Sequence, residues 1–192
     1  MKIGKTLFAV SVAAALQICA NIGFADPDQA YLDVENRLDG LFLDLQQVDR
    51  ENWQPAEAEI IAIWHDTGSA AMDFLFERGM QALENGDYIK AIEHLSALID
   101  HAPGFAEAWN ARAKVYFMMH RFGQSMADIR QTLIHNPRHF WSLNGLGILY
   151  EELGNPKAAL AAYSAAQAIH PHIQDVNEAI IRLQTELEGL VL

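Results

Sequence analysis

The residues of this 192-residue chain that could hold a metal or move a proton are eight histidines and twenty-five acids. Their spacing assembles neither chemistry. His-Glu-x-x-His, which sets two imidazoles and a general base on one helix face, does not occur. His94 and His101 share a helical stretch but stand about two turns apart, too far for one ion. His170 and His172 are split by Pro171, which stops a helix. There is no glycine-rich phosphate loop, and no Gly-x-Ser-x-Gly to support a nucleophilic serine. The remaining Asp and Glu side chains are scattered as solvated helix faces are. The expectation is no catalytic residue, no cofactor and no metal.

The elements that would have to position any site are helices in a repeat. A period of 34 runs through the chain: Pro103, Pro137 and Pro171 keep it, as do Gly79, Ala113 and Gly147, and Ala91, Ser125 and Ala159. Bulky residues keep the same step at Leu75, Trp109 and Leu143, and at Leu95, Ile129 and Tyr163. Small residues let two helices approach, and large ones fill the space between them. Gly86 and Gly154, with His120 between them in register, fall where one helix stops and the chain turns. The prolines fall just past the second helix. Each unit therefore reads as helix, turn, helix, stop.

This pattern resembles the tetratricopeptide repeat (TPR). "Ala106-Glu107-Ala108-Trp109" and "Gly86-Asp87-Tyr88" match its pattern, and three repeats are assigned at 72–105, 106–139 and 140–173. The chain is also similar to signal-bearing alphaproteobacterial repeat proteins of unassigned activity, on stretches such as "Leu98-Ile99-Asp100-His101-Ala102-Pro103" and "Asn136-Pro137-Arg138-His139-Phe140". The implied fold is an all-α solenoid. The seventh repeat position departs from the usual Leu, being Arg78, Arg112 and then Leu146. Asp100 and Asp128 are candidate partners for the two arginines, which otherwise snorkel to water.

Both flanks read as helical. Tyr31, Val34, Leu38, Leu41, Leu45 and Val48 recur at steps of three and four, and Pro55 suits the first turn of a second helix bearing Ile60, Ile61, Ile63 and Trp64. Gly68 ends that helix, and Ser69 is placed to cap the next. Residues 26–71 thus form a degenerate N-terminal hairpin. Ile173, Val176, Ile180, Leu183 and Leu187 mark a capping helix within 174–192, which a repeat stack needs at its open end.

The first 25 residues read as an address. Lys2 and Lys5 precede an apolar stretch, Leu7 to Leu16, and Gly23 and Ala25 stand at the −3 and −1 positions of a cut before Asp26. A cleaved signal peptide and a periplasmic mature chain follow. Leu16-Gln17-Ile18-Cys19 partly resembles a lipobox, but Ile18 is not small, so lipidation of Cys19 stays an alternative to its removal. No internal apolar run is long enough for a membrane span. The net charge of −12 argues against nucleic-acid binding by bulk charge, and 51% hydrophobic content excludes a wholly disordered chain.

In the family, positions 2, 5, 9 and 12 of the first helix line a concave face. Carried over, they are Asp73, Phe76, Met80 and Leu83; Glu107, Asn110, Lys114 and Phe117; and Trp141, Asn144, Ile148 and Glu151. Asn110 and Asn144 stand one repeat apart, so their amides either bind an extended backbone or are merely solvated. Repeat 106–139 carries five cations against two acids, whereas 27–60 carries nine acids against two arginines. The basic middle can therefore attract an acidic partner or the chain's own acidic hairpin.

The implied function is a non-enzymatic protein-interaction module that takes an extended peptide or a partner helix in this groove, as adaptor or assembly factor. The alternative is a structural homo-oligomer pairing through its terminal helices. A third reading places hidden chemistry in Arg78, Arg112, Asp100 and Asp128.

Overall fold

The computed structural model describes residues 27–47 and 52–189. The expected signal segment, its cut, Cys19 and Val48 lie outside the described residues. Within them every regular element is an α-helix: α1 (Pro27–Leu45), α2 (Gln54–His65), α3 (Ala70–Glu84), α4 (Tyr88–His101), α5 (Ala106–Met118), α6 (Phe122–His135), α7 (Phe140–Glu152), α8 (Pro156–Ile169) and α9 (Gln174–Gly189).

The chain divides into two units inside α1, between Asp39 and Gly40. Up to Asp39 the helix carries a local side-chain bond, Gln29 Nε2 to Asp33 Oδ1 at 2.9 Å. The buried positions of α1 from Gly40 onward are Phe42 and Leu45. The apolar face therefore includes Phe42 where the periodicity pointed to Leu41, which is only half-buried.

From α3 to α8 the second unit is a stack of three antiparallel hairpins, each second helix also packing on the first helix of the next pair. Glycine explains the close approach within a hairpin. A Cβ on Gly79 would lie 2.7 Å from Leu95 Cγ, and one on Gly147 would lie 2.4 Å from Tyr163 Cε1. The small and the large residues that shared a period are thus direct neighbours. In the middle repeat the step is filled by Ala113, whose carbonyl accepts from Ser125 Oγ at 2.9 Å.

The turns repeat as well. Gly86 (φ 72), His120 (φ 55) and Gly154 (φ 67) all occupy the left-handed region. His120 adopts it because the repeat geometry demands that conformation whatever the residue. Asp87 and Asn155 follow their glycines and cap α4 and α8 through Lys90 N and Ala158 N.

Between α2 and α3 the turn is built differently from expectation. Ser69 precedes α3 but its hydroxyl makes no capping bond. Instead Asp73 Oδ1 accepts from Thr67 Oγ1 at 2.6 Å, and Asp66 Oδ1 accepts from Gly68 N at 2.8 Å. At the other end Val176, Ala179, Ile180 and Leu183 of α9 are buried, with α9 packed on α8. Among the described residues no helix is long and apolar enough to cross a membrane.

Candidate peptide-binding groove

The first helices of the three repeats are α3, α5 and α7. Positions 2 and 5 of α3 and α5 form one half of the inner face, near the helix starts, and Trp141 and Asn144 of α7 join Leu83, Lys114, Phe117 and Ile148 in the other. The structure treats the two halves differently.

The half near the helix starts is closed. Asn110 is only 4% exposed and Glu107 only 5%. Asn110 Nδ2 donates to Glu107 Oε2 at 3.1 Å, and its Oδ1 accepts from Ser142 Oγ at 2.8 Å. His139, fully buried, meets Glu107 Oε1 through Nε2 at 2.5 Å. Its Nδ1 accepts from Ser142 N at 3.0 Å, so the ring proton stands on Nε2 and is donated to the carboxylate. Burial pushes the Glu107 carboxyl up, but the hydrogen bonds from His139 and Asn110 outweigh it and hold the group below its ordinary value.

Helix α2 lies over this polar layer. Trp64 stacks on His139 with ring centroids 4.5 Å apart and also contacts Phe140 and Phe42. His65 meets Phe76 edge-on at 5.3 Å, with its Nε2 3.9 Å from Glu107 Oε2. At the other end of α2, Glu57 Oε1 lies 3.4 Å from His170 Nε2, while Trp53 stacks on His172 at 5.2 Å. Burial pushes His170 down to about 4, with His172 adding to the shift, and burial raises the Glu57 carboxyl. Arg138 of the basic repeat does reach the hairpin, 4.3 Å over the Phe42 ring.

The other half is open. A cavity of about 410 Å³ is lined by Leu83, Lys114, Phe117, Trp141, Asn144 and Ile148, with Asn110 at its edge. Lys114 is exposed and, among the described residues, makes no ion pair. Asn144 is half-buried at the same wall.

Seven of the twelve groove residues thus line one cavity. Asp73 is used by the α2–α3 turn, and Phe76 and Met80 pack into the core of the first repeat. Glu107 is covered, and Glu151 pairs with Arg182 at 2.7 Å while accepting from Tyr163 Oη at 2.7 Å. The sequence singled out neither His139 nor Ser142, and it gave no role to Trp64 beyond apolar surface.

The arginine and acid group does not assemble as one site. Arg112 forms a two-point pair with Asp128 at 2.7 and 2.9 Å and also donates to Ser96. Arg78 donates to Gln81 and lies over Phe74. Asp128 is thereby a structural partner of a half-buried arginine. Among the described residues no three His, Cys, Asp or Glu could hold a metal ion.

The tetratricopeptide repeat family model matches residues 76–121 and 119–172. A TPR repeat-containing protein of Rhizobium etli is 32% identical over 156 residues, which is 81% of this chain and 76% of that protein. Among solved structures, the first TPR of Spaghetti bound to an HSP90 peptide aligns at TM-score 0.58 and 19% identity, covering 61% of this chain and 93% of that one. The Yersinia enterocolitica type III secretion chaperone SycD, in complex with a peptide of the translocator YopD, aligns at TM-score 0.55 and 13% identity over 63% of this chain and 92% of that one. With this fold, this repeat register and these relatives, the chain belongs to the tetratricopeptide repeat family.

Proposed function

We propose that this chain is a non-catalytic binding module of the periplasm that receives a peptide or a partner helix in the open half of its inner face, as adaptor or assembly factor. The cavity between Leu83, Phe117, Trp141 and Ile148 carries this reading. Its wall is apolar, and Lys114 and Asn144 offer one charge and one amide at fixed places. That composition suits a segment with a buried apolar side chain and an acceptor beside it. The peptide complexes of the Spaghetti domain and of SycD support the mode. The periplasmic assignment rests on the N-terminal residues alone.

Pull-down from periplasmic extract with the wild type and with a Trp141→Ala/Lys114→Glu variant tests the site. A partner held by the wild type and lost by the variant is the expected result. Identical catches from both would remove the groove from the account.

A second reading, homo-oligomerisation through the terminal helices, is favoured by Ile181 on α9, which is 65% exposed. Sedimentation at several concentrations separates the two, because a strictly monomeric species rejects it.

A further inference from the structure

We propose that α2 is a built-in, displaceable occupant of the inner face, held in the half near the helix starts, and that an amphipathic helix of the same chemistry from a partner takes its place. The inference goes beyond the open cavity described above, since it concerns the covered half.

The first support is position. Reading from its start, α2 passes His170 at Glu57, then His139 and Phe140 at Trp64, then Phe76 and Glu107 at His65. It therefore crosses all three repeats, from the third to the first. The residues it covers include Phe76 and Glu107, two of the positions that the family offers to a ligand.

The second support is the chemistry underneath. Glu107, Asn110, Ser142 and His139 form a buried, hydrogen-bonded polar layer, with Glu107 and His139 under α2 and Asn110 and Ser142 bordering the open cavity. Polar groups of this kind in a core are costly unless satisfied. Here the members of the layer satisfy one another, so uncovering it strands none of these bonded atoms.

The third support is the quality of the seat. Of the twelve residues of α2 only Ala56 and Ile60 are buried. Ile61, Ile63 and Trp64 are half-buried, and ring contacts and long-range pairing add to the hold. His65 and Glu107 stand at 3.9 Å, and His170 Nε2 is buried without a hydrogen bond, 3.4 Å from Glu57. A competing segment that satisfied that nitrogen would make the better contact. The chain joins α2 to α3 by a four-residue turn in which Gly68 takes φ 71. Thr67 of that turn is tied to Asp73 of α3, so a displaced α2 pivots on the α2 side of Thr67.

The partner follows from the occupant. It is a short amphipathic helix with acidic residues near its start, as Glu57 and Glu59 stand in α2, and an aromatic residue near its end, as Trp64 does.

The test uses the full mature chain and, as probe, a fluorescein-labelled synthetic peptide of residues 53–66. Anisotropy titration compares the wild type with Ile60→Ala/Trp64→Ala. The expected result is binding at least about tenfold tighter to the variant, whose own helix no longer competes. Equal affinity for both proteins, or no binding to a variant that still shows the helical spectrum and melting of the repeats, would overturn the proposal. Should that variant fail to fold, Glu57→Lys, which spares the apolar contacts, takes its place with the same expectation. Hydrogen exchange on the wild type gives a second reading: the amides of α2 exchange at least about tenfold faster than those of α4 and α6. Protection of α2 equal to that of α4 would overturn the proposal. The pull-down reads the open cavity and this titration reads the covered half, so a failed cavity reading and a failed strap reading give different results.

Discussion

His139 and Glu107, 32 residues apart, close a buried hydrogen bond of 2.5 Å directly beneath the Trp64 ring. The bond ties the start of the third repeat to the start of the second and supplies the surface on which α2 rests. Removing the imidazole by His139→Ala leaves a nearly buried carboxylate with one donor fewer. The expected cost is roughly 3 kcal/mol in urea unfolding. Adding Glu107→Ala recovers part of that loss, because the stranded charge goes with it.

Helix contact within the hairpins makes an opposed pair of predictions. Gly147→Ala drives a Cβ into the Tyr163 ring and costs about 1–3 kcal/mol by thermal melting. Gly123→Ala, in α6 with nothing within 4 Å of the added atom, stabilises by about 0.5–1 kcal/mol.

His120 occupies a left-handed turn that Gly86 and Gly154 occupy in the neighbouring repeats. His120→Gly is expected to gain up to about 1 kcal/mol, and His120→Val to lose at least as much, in the same melting experiment. A β-branched residue tolerated there without loss would contradict the turn assignment.

Stability falls in acid. His170 takes its proton near 6.5 in the unfolded chain and near 4 when buried, so between those values the unfolded state binds the extra proton. Stability therefore declines as pH drops from 6.5 toward 4. Glu107, held below its ordinary value, adds a loss as the pH falls through its folded value. Glu57 is raised by burial and works in the opposite direction, offsetting part of the decline. Urea midpoints measured across this range should decrease, and His170→Phe should flatten the slope. A flat wild-type profile would contradict the burial of a neutral His170.

The repeat was legible because its signals are local or recur at a fixed step. Gly79 with Leu95, Gly147 with Tyr163, and the three turn residues can all be paired by counting. The strap was not legible, since Trp64 meets His139 and Trp53 meets His172 across long stretches of sequence that share no period. Asn110 and Asn144 looked equivalent by register, but their surroundings differ. Asn110 finds Glu107 on its own helix and Ser142 on the next repeat. One step of 34 further on, those places are held by Trp141 and Val176, which cannot hold the amide of Asn144 in the same way. The amide that remained available was therefore fixed by neighbours one repeat away, beyond any single motif.

The central claim is that the partner lies against the wall formed by Trp141, Asn144 and Ile148. Photo-crosslinking in intact cells, with p-benzoylphenylalanine placed at Ile148 and, as control, at Ile89 of α4, which is also exposed, tests it most directly. The account predicts one discrete crosslinked partner from position 148 that is absent from position 89. The same partner captured equally from both positions, or captured from position 89 alone, would contradict it.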